Sequence, residues 1–126
     1  MTSRTAAAIV ATSLLLAATD RLDADARLTL TVTPNISSAP STVVVRATVS
    51  KDAANRALHI EADSGSFFRS SEIQLDGDRA PLITEVRLKN LPSGDYTVMA
   101  VLRDQDGHQT AVRHNVLILA SPGERP

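Results

Sequence analysis

The sequence predicts an all-β protein, an antiparallel two-sheet sandwich of seven strands. Apolar and polar residues alternate with period two in segment after segment, turn signals separate those segments at roughly ten-residue spacing, and no helical period after residue 26 is long enough to compete. The alternation is clearest from Ile83 to Val101. Thr84, Val86 and Leu88 alternate with Ile83, Glu85 and Arg87, then Leu91-Pro92-Ser93-Gly94 turns the chain, Pro fixing one φ and Gly permitting a positive one. Leu91 is apolar enough to plug the end of a core. Beyond the turn Tyr96, Val98, Ala100 and Leu102 alternate with Thr97, Met99, Val101 and Arg103, and because the second face is also fairly apolar this strand is expected at the centre of its sheet.

From the start of the chain, residues 1–26 read as a secretory signal. Arg4 supplies a positive start, Ala6 to Ala18 an apolar stretch too short to span a bilayer, and Ala24-Asp25-Ala26 an A-x-A cleavage site. The domain is expected over 27–120. Leu28, Leu30 and Val32 form a first strand stopped by Pro34-Asn35, and Val43, Val45, Ala47 and Val49 a second, closed by Lys51 to Asn55. Leu58, Ile60 and Ala62 form a third, broken by Gly65. A short fourth around Ile73 and Leu75 ends at Asp76-Gly77-Asp78, and Pro81 precedes the fifth and sixth, already described. Asp104-Gln105-Asp106-Gly107 is a hairpin turn into a seventh strand, Gln109 to Leu119, and the polar tail 121–126 is expected to be disordered.

Composition narrows the function classes. The 126 residues hold one Tyr, two Phe, no Trp and no Cys, so the core must be aliphatic, and aromatic platforms for sugars or bases cannot be numerous. Removing Arg4 and Arg21 with Asp20, Asp23 and Asp25 leaves eleven basic against eleven acidic residues. A formally neutral domain gives no reason to expect nucleic acid or an anionic membrane as partner. A domain of about a hundred residues can dispense with disulfides if its core is adequate.

Tyr96 stands just after a corner, two residues before Val98. That arrangement resembles the tyrosine corner of immunoglobulin-like sandwiches, in which the ring enters the core and the hydroxyl bonds back to the backbone. The chain thus resembles the broad group of bacterial immunoglobulin-like and fibronectin-like modules, over most of residues 28–119. The resemblance puts Val98 where an antibody-type domain keeps its second cysteine, facing Val45 or Ala47, and Leu58 or Ile60 where such a domain keeps its tryptophan. The pattern from Leu91 through Gly94 to Tyr96 is also similar to prealbumin-like modules, a sandwich of different topology.

Few residues suggest chemistry. His59, Glu61 and Asp63 share one strand face and read as its wet side. Asp104 and Asp106 alternate as in half of a calcium loop, without the distal glutamate. Asp106-Gly107-His108 resembles the Asp-Gly-His of small periplasmic copper-binding sandwiches, a likeness that implies Asp106 and His108 as metal ligands together with an N-terminal histidine; the expected terminus here is Arg27. The turn itself accounts for the same residues. His114 shares parity with Val112, Val116 and Ile118 and reads as a partly buried strand residue. No nucleophile elbow or phosphate-cradling loop occurs.

The sequence therefore points to a non-enzymatic, cofactor-free binding or assembly module, exported to the periplasm or beyond, whose partner is another envelope or extracellular protein. The contact is expected on the loop Gly65 to Ser71 through Phe67, Phe68 and Arg69, or on an exposed sheet edge; adjacent residues on an extended chain point opposite ways, so if one ring enters the core the other faces out. The alternatives are a copper-binding protein using Asp106 and His108 and a carbohydrate-binding module. Leu91, Gly94, Tyr96 and Val98 are expected to be structural.

Overall fold

A computed structural model describes residues 27–122. The expected signal segment, 1–26, and the last four residues of the expected tail lie outside them. The strands are β1 (Leu28–Thr33), β2 (Ile36–Ser38), β3 (Ser41–Val49), β4 (Asn55–Asp63), β5 (Phe68–Gln74), β6 (Ile83–Leu91), β7 (Gly94–Asp104) and β8 (Gln109–Leu119), with one 3-10 turn at Gly77–Arg79. They form two sheets, β1-β3-β6 and β2-β8-β7-β4-β5. In immunoglobulin lettering these are A-B-E and G-F-C-C′, with β2 as a split-off piece of the first strand. The strand order thus selects the immunoglobulin-like topology over the prealbumin-like one.

Period-two patterning places the core as the sequence implies. Val43, Val45, Ala47 and Val49 from one sheet and Leu58, Ile60, Ala62, Tyr96, Val98, Ala100, Leu102, Val116 and Ile118 from the other are all buried in one cluster. β7, between β8 and β4, is central as expected.

Two features differ from the seven-strand expectation. Eight strands form among the described residues, because β2 pairs in parallel with β8, Ile36 opposite Leu117 and Ser38 opposite Leu119. Proline has no N–H to continue the β1 ladder, so the chain leaves the first sheet at Pro34 and joins the second; three residues of Ile-Ser-Ser carry no periodicity that would announce it. The fourth expected strand begins five residues earlier than Ile73, at Phe68, as β5. It lies at a sheet edge, where both faces are partly wet, so its serines and glutamate hide the alternation.

The connection into β6 depends on Gly77. Its φ is +53°, and a Cβ there would lie 2.7 Å from the carbonyl oxygen of Ala53. Gly77→Ala should therefore destabilise the protein by about 2 kcal/mol, combining left-handed backbone strain with a collision against main chain; a urea melt followed by far-UV circular dichroism measures it.

Candidate functional site

The β7–β8 turn gathers ligand-type side chains. Asp104 ends β7 on the inward parity of Leu102, and the chain reverses through Gly107, whose φ is +85°. The N–H of Gly107 donates to the Asp104 carbonyl at 3.1 Å, and that of Asp104 to the His108 carbonyl at 3.1 Å. The Asp104 carboxylate is itself part of the turn: Oδ1 accepts from the N–H of Asp106 at 2.9 Å and from that of His108 at 3.0 Å. Its other oxygen, Oδ2, stands 3.5 Å from Nδ1 of His108.

Partial desolvation acts to raise the Asp104 pKa, but the two backbone N–H groups of His108 and Asp106 and the charges of His108 and Arg27 outweigh it. The carboxyl is held below its ordinary value. One potential ligand atom from each of Asp104, Asp106 and His108 lies within 4.8 Å of the others. The Asp104 side chain is 10% exposed and that of His108 78%, so the cluster is anchored on one side and open on the other. Across the β4–β7 ladder from Asp104 stands Asn55. It is 2% exposed; its amide nitrogen donates to the Ser50 carbonyl at 2.9 Å, while its Oδ1 has no hydrogen-bond partner.

The sequence reads Asp104 with Asp106 as half of a calcium loop and Asp106 with His108 as a metal-type pair; folding brings all three together. Asn55 could not have been found that way. It reads as a turn residue, and only the bulge between Asn55 and Ala57 turns it inward.

His59 does not join the other histidines. On the outer face of the five-stranded sheet, its Nε2 lies 3.2 Å from Glu61 and its Nδ1 4.0 Å from Glu72. The ring thus stands between two carboxylates rather than joining them at one point, and Asp63, exposed at the strand end, is not among its partners. His114 is half-buried on β8 with Nε2 3.0 Å from Asn35 Oδ1.

The expected contact loop is largely structure. Phe67 packs on the core, its ring edge-on to Tyr96 at 6.4 Å, while Phe68 is 56% exposed, so one ring enters and the other faces out. The Arg69 guanidinium sits 5.2 Å from the Phe67 ring centre and donates to the Lys89 carbonyl. Leu91, Tyr96 and Val98 are buried, and a Cβ on Gly94 would come within 3.0 Å of Ser64 and 3.3 Å of the Tyr96 ring.

No family model matches the chain, and no curated protein matches it. Among solved structures, the chain is similar to the superoxide reductase (neelaredoxin) of Ignicoccus hospitalis, with a TM-score of 0.60 and 13% identity over 73% of this chain and 80% of that one. Two single-residue variants of the same enzyme match at TM-score 0.60 and 14% identity, covering 73% of this chain and 79% of theirs. At such identity the likeness shows the fold, and the activity in those names belongs to those proteins.

The expectation of a non-catalytic binding or assembly module, with its copper-binding and carbohydrate-binding alternatives, is corrected on this finding: the three similar structures carry the name of a superoxide reductase, which is none of these. Strand alternation encodes a scaffold that many functions share, so it carried no information between those classes. Phe67 and Arg69 are engaged within the fold while Phe68 stays exposed, and the single tyrosine is buried.

Proposed function

We propose that this chain is a metal-dependent redox protein whose ion is held at the β7–β8 turn by Asp104, Asp106 and His108, and that it acts there on a small oxygen species of the superoxide type. The observation that carries the reading is the convergence of the three groups, with ligand atoms within 4.8 Å of one another at the end of a rigid hairpin. The superoxide-reductase neighbours support the choice of reaction class.

The donor set fits an ion that favours oxygen and imidazole, such as Mn(II) or Fe(II). With no cysteine in the chain, a thiolate-ligated centre is not available. The unpartnered Oδ1 of Asn55, across the ladder from Asp104, is a further hard oxygen beside the same turn. Bound there, a redox-active ion supplies the single electron that reduction of superoxide to hydrogen peroxide consumes along with two protons.

The protein's own residues do the rest. Two main-chain N–H groups fix the Asp104 carboxylate through Oδ1, leaving Oδ2 directed at the cluster. His108, largely in solvent, leaves the site open to a small diffusing anion. The charge of Arg27 acts at Asp104 and adds a positive field on the approach.

The test is an anaerobic titration of the purified protein with Mn(II) and with Fe(II), followed by stopped-flow measurement of superoxide decay with an external reductant. The expected result is one ion per chain and faster decay with the loaded protein. If neither ion binds, or if the loaded protein leaves the decay unchanged, the reading is wrong.

A further inference from the structure

The outer face of the five-stranded sheet carries a charge pattern that a single copy uses only in part, through His59 beside Glu61 and Glu72 and Arg103 beside Glu72. The ladder registers align its outward residues in rows across β5, β4, β7 and β8. One row is Ser70, Glu61, Met99, Arg113; the next is Glu72, His59, Val101, Ala111; a third is Phe68, Asp63, Thr97, Asn115. Acid thus collects on the β5–β4 side as Glu72, Glu61 and Asp63, while Arg113 stands on β8 and small or apolar residues run between. A cavity of about 240 Å³ opens on the same face between His59, Glu72, Val101 and Arg103. Four of the six large exposed hydrophobics among the described residues are here too: Phe68 at the β5 edge, and Ile36, Leu117 and Leu119 at the β2–β8 edge. These residues stand at the two edges of the face, Phe68 on one side and Ile36, Leu117 and Leu119 on the other.

We infer that this face binds a second copy of the chain, the two sheets packing face to face about a two-fold axis parallel to β7. Such an axis keeps each row at its own height and exchanges left for right. Glu61 of one copy then faces Arg113 of the other twice over, because the two residues occupy the same row on either side of β7. Met99 and Val101 meet their own equivalents on the axis, and His59 lies over the small Ala111. The same operation carries Phe68, at one edge, over β2 at the other edge, within one row of Ile36 and Leu117. A two-fold axis perpendicular to the strands would instead oppose acid to acid. The pattern is self-complementary in one orientation only, which is what an isologous contact requires. Arg103, near the axis, has Glu72 of its own copy at 4.0 Å to offset its charge.

The test exploits the exchange of charges. Sedimentation equilibrium of the full chain over a concentration series should show a monomer–dimer equilibrium that weakens with added salt. Arg113→Glu alone and Glu61→Arg alone should each be monomeric, since each opposes like charges twice. An equimolar mixture of the two variants should sediment as a dimer, because every charged contact is then restored in reverse. Circular dichroism confirms that each variant is folded; should Glu61→Arg fail to fold, Met99→Glu, which places two like charges across the axis, takes its place as the second disruptive variant. A wild-type chain that stays monomeric at every concentration overturns the inference, and so does a dimer that survives Arg113→Glu or Met99→Glu, or folded single variants that do not associate when mixed.

Discussion

Tyr96→Ala is expected to lower the unfolding free energy by about 3–5 kcal/mol, the range for deleting a large aromatic ring from a packed core. Domains have only about 5–15 kcal/mol in all, so the variant loses a large share of its stability. The ring is 1% exposed, meets Phe67 edge-on at an interplanar angle of 76°, and its hydroxyl donates to the Pro92 carbonyl at 2.8 Å. Tyr96→Phe keeps the ring and removes the hydroxyl with its hydrogen bonding, so a loss of about 1 kcal/mol is expected. The two variants together separate packing from hydrogen bonding, and urea melts of both measure the split.

Burial raises the Tyr96 pKa above the ordinary 10.0, against the opposing hydrogen bond from Ser64 and the charge of Arg69. The folded state therefore holds this proton more tightly than the unfolded chain does. Its contribution to stability is complete below pH 10.0 and is lost as pH rises through the raised folded value. Tyr96→Phe should remove that part of the alkaline loss.

This corner was legible in the sequence because its parts are local. Leu91, Gly94, Tyr96 and Val98 lie within eight positions, and each does something that neighbouring residues define: a plug, a close approach, a corner, an inward strand residue. The core faces were legible for the same reason, since a strand's parity assigns its buried side without reference to any partner. β2 and the start of β5 were not. A three-residue strand has no period to detect, and an edge strand with two damp faces has polar residues on both. Function was least legible. Asp104, Asp106 and His108 were visible as ligand types, but their convergence depends on the hydrogen bonds within the turn, and Asn55 arrives from a distant strand through a bulge. In the Phe67 to Arg69 segment parity foresaw one ring inside and one outside, but not that Phe67 would be the inner one against Tyr96 or that Arg69 would donate to the Lys89 carbonyl.

The sharpest test of the turn site comes from the unequal duties of its two aspartates. Asp104 serves the turn and the cluster together, since its Oδ1 accepts two main-chain N–H groups while Oδ2 faces His108. Asp106 contributes its backbone N–H to the turn but has no side-chain hydrogen bond there. Asp106→Asn should therefore leave the hairpin intact and weaken Mn(II) or Fe(II) binding by more than the roughly 10–100-fold that losing an outer hydrogen-bond partner of a metal ligand costs. Asp104→Ala should abolish binding and also loosen the turn, seen as faster hydrogen exchange at the amides of Asp106 and His108.

Asp104 also links the turn to acid. Its carboxyl is held below the ordinary 3.8, so the hydrogen bonds it accepts are complete above that value and are lost as pH falls through the depressed one. Protection of the two amides should follow that acid limb in the parent and show none of it in Asp104→Ala. If Asp106→Asn binds either ion as tightly as the parent, the cluster is a turn and nothing more, because the one carboxylate that the turn does not need would then have no work in holding an ion.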